Sequence, residues 1–243
     1  MEGANTPEQW YKNLPVLTRY GLTIIFATTI LVQTEILNPQ LIVLHWPLVW
    51  GKLQLWRVLT CVFFFGGFSF NLVFQLYFFT SFSSKLERNE VFASAPGEYL
   101  LFLLFQIVTL AVLSLLLAYP TGLPTLGPSL VFAIIYYWSR REPYAQLSFF
   151  SFTIQGYQFP FALLFFQVLM GGSPWADLLG LGAGHIYYFL KEVVPQEYGY
   201  TFIRAPAFMQ SLAIKHLGAV PPRGYQAPTA TRNFQGPGQR LGG

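Results

Sequence analysis

The residues equipped to do chemistry are few. One cysteine and three histidines occur in the whole chain. Cys61 stands in an apolar run, which suits a buried and inert thiol. A single cysteine excludes an intramolecular disulfide and any multi-cysteine metal site. His45 and His216 have no carboxylate or cysteine at ligand spacing, so no metal is expected, and no other cofactor. Ser129, in Leu126-Gly127-Pro128-Ser129-Leu130, opens an apolar segment. A serine there is most often a cap or a packed hydroxyl. Nucleophilic catalysis needs a base within hydrogen-bond reach. Asp177 is a carboxylate, which cannot simply replace imidazole as the proton shuttle for a serine. His185 lies about two turns beyond Asp177 and reads as a packing or hydrogen-bonding residue.

Uncharged polar side chains inside apolar segments form a second group. Asn71 and Gln75 stand four apart and share a helix face. Ser148, Ser151, Thr153, Gln155 and Gln158 follow along a segment that Gly156 and Pro160 loosen. Amides within apolar helices act as interhelical glue or line a polar groove, and the residues alone leave both open. Gly180 and Gly184, with Gly182 and Ala183 between them, let another helix approach closely.

The elements that must position these groups are membrane helices. Of 243 residues, 53% are hydrophobic and only 10% charged, against about 25% charged in a soluble domain. A spanning helix takes about 20 predominantly apolar residues. Six segments come close: 16–33, 58–82, 99–119, 126–138, 147–170 and 175–190. The expected fold class is therefore all-α, a polytopic membrane protein. Lysine and arginine set its orientation. With the N-terminus in the cytosol, twelve of the fourteen basic residues are cytosolic and only Lys52 and Arg57 are luminal. Both termini are then cytosolic. No signal peptide is read in residues 1–15, so the first apolar segment is expected to stay as an anchor.

Residues 34–56 are too broken to span and too apolar for water, and should lie in the membrane interface. The membrane domain is expected over 16–191, with a cytosolic N-terminus at 1–15 and a cytosolic tail at 192–243. Within that tail 208–217 is weakly amphipathic, and disorder is expected after about residue 218. The formal charge of +4 is scattered, which argues against nucleic-acid binding.

Several strings resemble the derlin family at matching places. They are Leu55-Trp56-Arg57-Val58-Leu59-Thr60, Trp138-Ser139-Arg140-Arg141-Glu142-Pro143-Tyr144 and Gly184-His185-Ile186-Tyr187-Tyr188-Phe189-Leu190. The terminal Gly238-Gln239-Arg240-Leu241-Gly242-Gly243 completes the set. The resemblance covers roughly residues 10–200 and this terminus. It implies a six-span rhomboid-like bundle without protease chemistry, in the endoplasmic-reticulum membrane. Rhomboid proteases carry a Gly-x-Ser-Gly serine on the fourth span. Their histidine stands three residues before the first glycine of a Gly-x-x-x-Gly pair on the sixth. Here Ser129 lacks the following glycine, and Asp177 stands in the histidine's place. No catalytic residue is therefore expected.

The resemblance further implies that Trp56 and Arg57 brace the interfacial loop and that Gly180 and Gly184 pack the sixth span on the fourth. A client groove between the second and fifth spans would use Asn71, Gln75, Ser151, Gln155 and Gln158. The string Phe234 to Leu241, with Gly236, Gly238, Gln239 and Arg240, resembles the box by which derlins recruit a cytosolic hexameric AAA ATPase (valosin-containing protein). The implied role is retrotranslocation of misfolded proteins for ubiquitin-proteasome degradation, in contact with membrane lipid. The implied partners are those clients, the ATPase, a RING-type membrane ubiquitin ligase and further copies or relatives in an oligomer. An active intramembrane serine protease and a small-solute transporter are the other classes left open.

Overall fold

Local signals start the helices. Thr6 and Gln9 cap each other reciprocally and Pro7 fills the first turn, so α1 (Pro7–Lys12) begins there. The computed structural model describes residues 6–119, 123–149, 152–215 and 217–219. These are mostly helical, with one short hairpin. The first long helix, α2 (Val16–Gln33), has no side-chain cap of its own. Its free N–H groups are met from elsewhere: the Glu87 carboxylate accepts from Leu17 N at 2.9 Å and Thr18 N at 2.8 Å. A carboxylate suits the positive end of a helix dipole.

The second apolar segment does not form one helix from residue 58. The chain makes α3 (Trp46–Gly51), α4 (Trp56–Thr60), an irregular stretch and only then α5 (Phe70–Glu87). Gly66 takes a φ of +106°, open to glycine at little cost. Ser69 then accepts from Leu72 N and starts α5 afresh. After α6 (Glu90–Ala93) comes α7 (Pro96–Ala118), the longest helix described.

At the centre lies α8 (Gly127–Arg141), in which Ser129 through Ser139 are all buried. It packs against α5, α7, α9 (Phe159–Leu169) and α10 (Trp175–Tyr188). Beside it, Phe92, Tyr99, Phe102, Tyr137 and Tyr187 interlock, with Phe102 4.9 Å from Tyr187 and 5.1 Å from Tyr137, ring centre to ring centre. Such offset and edge contacts add to plain burial.

The fifth apolar segment also differs from the expected single helix. Strands β1 (Gln146–Phe149) and β2 (Phe152–Gln155) pair antiparallel, Gln146 opposite Gln155 and Ser148 opposite Thr153. Polar and apolar residues alternate through both, the two-residue period of a strand. Gly156 N donates to Ala145 O at 2.8 Å and closes the hairpin. Pro160 then sits in the first turn of α9.

Among the described residues, α2 and α7 are the two helices long and apolar enough to cross a membrane. The others are shorter or more polar. The eleven residues of α9 make about 16 Å of helix, half of the ~30 Å hydrocarbon core.

Beyond α10 a π turn, Phe189–Val193, leads into α11 (Val194–Tyr198), which ends at Gly199 with φ +72°. The chain then folds back on the start of α7. Glu98 accepts from Lys191 Nζ and from Ala205 N, both at 2.8 Å, and Lys191 also donates to Ile203 O. The following helix, α12 (Ala207–Lys215), buries Ala213. Its Gln210 side chain accepts from Gly97 N at 2.9 Å. A side chain at Gly97 would come within 2.9 Å of the Gln210 backbone, so this contact requires glycine. The amphipathic stretch expected at 208–217 is thus the docked α12.

Candidate functional site

Glycine sets the contact between α8 and α10. A Cβ placed on Gly180 would strike Ser129 O, and one on Gly184 would come within 2.9 Å of Ala133 O. Both neighbours are backbone atoms that have nowhere to move. The pairs 129–180 and 133–184 advance together, so the two helices run parallel with their backbones in contact. Gly182 faces the other way and meets Leu113 of α7 at an ordinary 3.9 Å.

The serine and carboxylate weighed above for nucleophilic chemistry stand at the starts of these two helices. Ser129 and Asp177 are both fully buried, in the first turns of α8 and α10. Neither Ser129 Oγ nor either Asp177 oxygen has a hydrogen-bond partner among the described residues. The nucleophile is therefore not joined to a base. His185 is occupied elsewhere, its Nδ1 2.6 Å from Tyr136 OH. Eight residues of helix separate it from Asp177, about 12 Å along the axis.

Trp56 and Arg57 meet the loop that precedes them. Arg57 is 3% exposed. Its guanidinium donates to Gln40 O at 2.5 Å, Val43 O at 2.8 Å and Gln54 Oε1 at 2.6 Å. Trp56 Nε1 donates to Leu41 O, and Thr60 Oγ1 to Ile42 O. One buried cation thus gathers the carbonyls of a loop that has no ladder of its own, as a buried charge requires. The loop then joins the bundle through Leu44 N to Pro124 O and through Leu126 N to Cys61 O.

A cavity of about 480 Å³ opens between α5 and α9. Phe70, Phe74, Phe78, Phe132 and Phe166 form much of its wall, and Asn71, Gln75 and Gln167 supply its polar groups. Gln75 is 6% exposed, and its carbonyl oxygen is unpartnered among the described residues. A second cavity of about 290 Å³ continues along α5 past Phe78 and Phe82 to Lys85, with Leu147 and Ser148 of β1 on its far side. Together they make an aromatic groove with a sparse row of amides.

Of the residues proposed for a groove, Asn71 and Gln75 line it. Gln155 does not, because it lies at the end of β2. Nor does Gln158, whose side chain turns back to Gln155 N and Tyr157 OH. The hairpin is the reason: residues expected on a helix stand on strands instead. Ser151 and the string Phe234 to Leu241 lie outside the described residues. Gln167 also lines the groove; with no polar side chain one turn away, it lacks the shared-face signal that marks Asn71 and Gln75.

Comparisons with known proteins agree on the relationship. The model of the Der1-like family matches residues 14–207. A probable derlin-2 homolog of Dictyostelium discoideum is 34% identical over 209 residues, covering 84% of this chain and 82% of that one. Derlin-2.2 of Arabidopsis thaliana is 34% identical over 217 residues, covering 86% and 88%. Derlin-1 of the same plant is 34% identical over 212 residues, covering 87% and 79%. With its helical bundle, apolar groove and unjoined serine, the chain belongs to the Der1-like family, the derlins.

Proposed function

We propose that this protein is a non-catalytic retrotranslocation factor, a six-span rhomboid-like bundle over residues 16–191 in the endoplasmic-reticulum membrane with both termini cytosolic. The observation that carries the reading is the groove between α5 and α9. Phenylalanine walls accept an apolar or unfolded segment, while Asn71, Gln75 and Gln167 offer hydrogen bonds to a polar group carried into lipid. Such bonds are valuable where water is scarce. The short α8, α9 and α10 support a locally thinned bilayer, which lowers the barrier to moving a polar chain. The unjoined Ser129 and Asp177 weigh against hydrolysis.

Clients accepted in the groove pass to a cytosolic AAA ATPase held by the tail string Phe234, Gly236, Gly238, Gln239, Arg240 and Leu241. A RING-type ubiquitin ligase acts beside it. Photocrosslinking in microsomes tests the groove. A photoreactive residue in place of Phe74, which lines it, should capture a misfolded membrane client. One in place of Val108, exposed on α7, should not. Equal capture at both positions would reduce the groove to a lipid-facing crevice.

A further inference from the structure

Residues 198–215 carry a surface that the groove does not use. Tyr198, Tyr200, Phe202, Phe208 and Leu212 are all exposed, and Phe208 and Leu212 stand four apart on one face of α12. The stretch 198–219 holds two basic residues, Arg204 and Lys215, and no acidic one. Both are exposed and form no ion pair among the described residues. Five large apolar side chains left uncovered by the described residues make the kind of surface that binds something else.

The attachment of this stretch fixes its depth. Glu98 holds Ala205, and Gln210 holds Gly97, both at the first turn of α7. At 23 residues, α7 is about 35 Å long, enough to cross the hydrocarbon core and end in the headgroup layer. A segment tied to its first turn lies at headgroup level. Tyrosine is enriched there, and basic residues are drawn to acidic lipid.

We infer that residues 198–215 form a strap seated in the headgroup layer of the leaflet at the start of α7. Tyr198, Tyr200, Phe202, Phe208 and Leu212 face lipid, and Arg204 and Lys215 face acidic headgroups. The occupant of this surface is the protein's own membrane, and the inference rests on α7 crossing it.

Spin labels on the full chain in phosphatidylserine-containing nanodiscs test this, with Cys61→Ala as background. Labels at Phe208→Cys and Leu212→Cys should collide with oxygen more than with a water-soluble nickel chelate. A label at Val108→Cys should do so more strongly. If the Val108 label reads as lipid while both strap labels meet nickel freely, the strap lies in water and the inference fails. If the Val108 label itself reads as water, α7 does not span and the inference falls with the membrane reading, while the crosslinking contrast at Phe74 still judges the groove. Arg204→Gln combined with Lys215→Gln should abolish any excess lipid signal over pure phosphatidylcholine discs. An excess that persists would overturn the headgroup contacts.

Discussion

The two ends of the bundle treat their buried carboxylates differently. At the end that carries α1, α6 and α12, the carboxylates are well partnered. Glu87 accepts from Leu17 N and Thr18 N and from the Thr18 hydroxyl. Because each hydroxyl has one proton, Ser83 then donates to Thr18 and Tyr99 to Ser83, a chain that joins α2, α5 and α7. Glu192 binds Arg141 at 3.1 Å and accepts from Tyr137 OH. At the loop end, Arg57 is the principal tie, and Asp177 and Ser129 are buried without a partner among the described residues. An unmet buried polar group costs about 1–3 kcal/mol. Ser84 Oγ, Trp138 Nε1 and Tyr187 OH are unpartnered at the first end among the described residues, so the contrast is one of carboxylates, met at one end and unmet at the other.

The largest expected effect lies at the contact of α8 with α10. Gly180→Val drives a side chain into the Ser129 carbonyl and should cost at least the about 1–3 kcal/mol typical of overpacking. Its thermal midpoint in detergent should fall clearly. An unchanged midpoint would mean that α8 and α10 do not touch there.

A middle-sized effect is expected at the loop end. Arg57→Lys keeps the charge but loses the planar fork that reaches Gln40 and Val43 together. The loss should be about 1.5–3 kcal/mol, the range for hydrogen bonds to charged groups. Proteolysis should quicken within residues 34–56 and not near α12. Equal quickening at both ends would erase the contrast drawn above.

The smallest effect is expected at Ser129. Ser129→Ala removes an unpartnered hydroxyl, so stability should hold or rise slightly and client degradation in a chase should continue at the wild-type rate. Loss of degradation by a well-folded Ser129→Ala protein would restore a chemical role to that serine.

Apolarity made the simplest elements legible. The third segment, read at 99–119, is the helix Pro96–Ala118, and the sixth, read at 175–190, is Trp175–Tyr188. It misplaced the second and fifth because hydropathy does not register backbone geometry. Gly66 breaks the second, and strand-period alternation from Gln146 to Gln155 claims the first half of the fifth. Of the candidate groove, the i, i+4 pair Asn71 and Gln75 was readable. Gln167 was not, since a single amide in an apolar run looks the same whether it packs or lines a cavity. The ties from Glu98 to Ala205 and from Gly97 to Gln210 join residues more than a hundred positions apart, and no local pattern announces them.

The placement of α9 gives the groove a lever. Its buried residues, Phe159, Pro160 and Leu163, all lie in its first half, whereas Phe165, Val168, Leu169 and Met170 beyond them are exposed. The helix is therefore buried most deeply at its hairpin end. A swing of about 20° about Phe159 would carry the tip of a ~16 Å rod by roughly 5–6 Å. That is about half the width of a helix with its side chains, at a site remote from the latch at Glu98. Such a swing would widen the mouth of the groove by turning one short rod about its buried end.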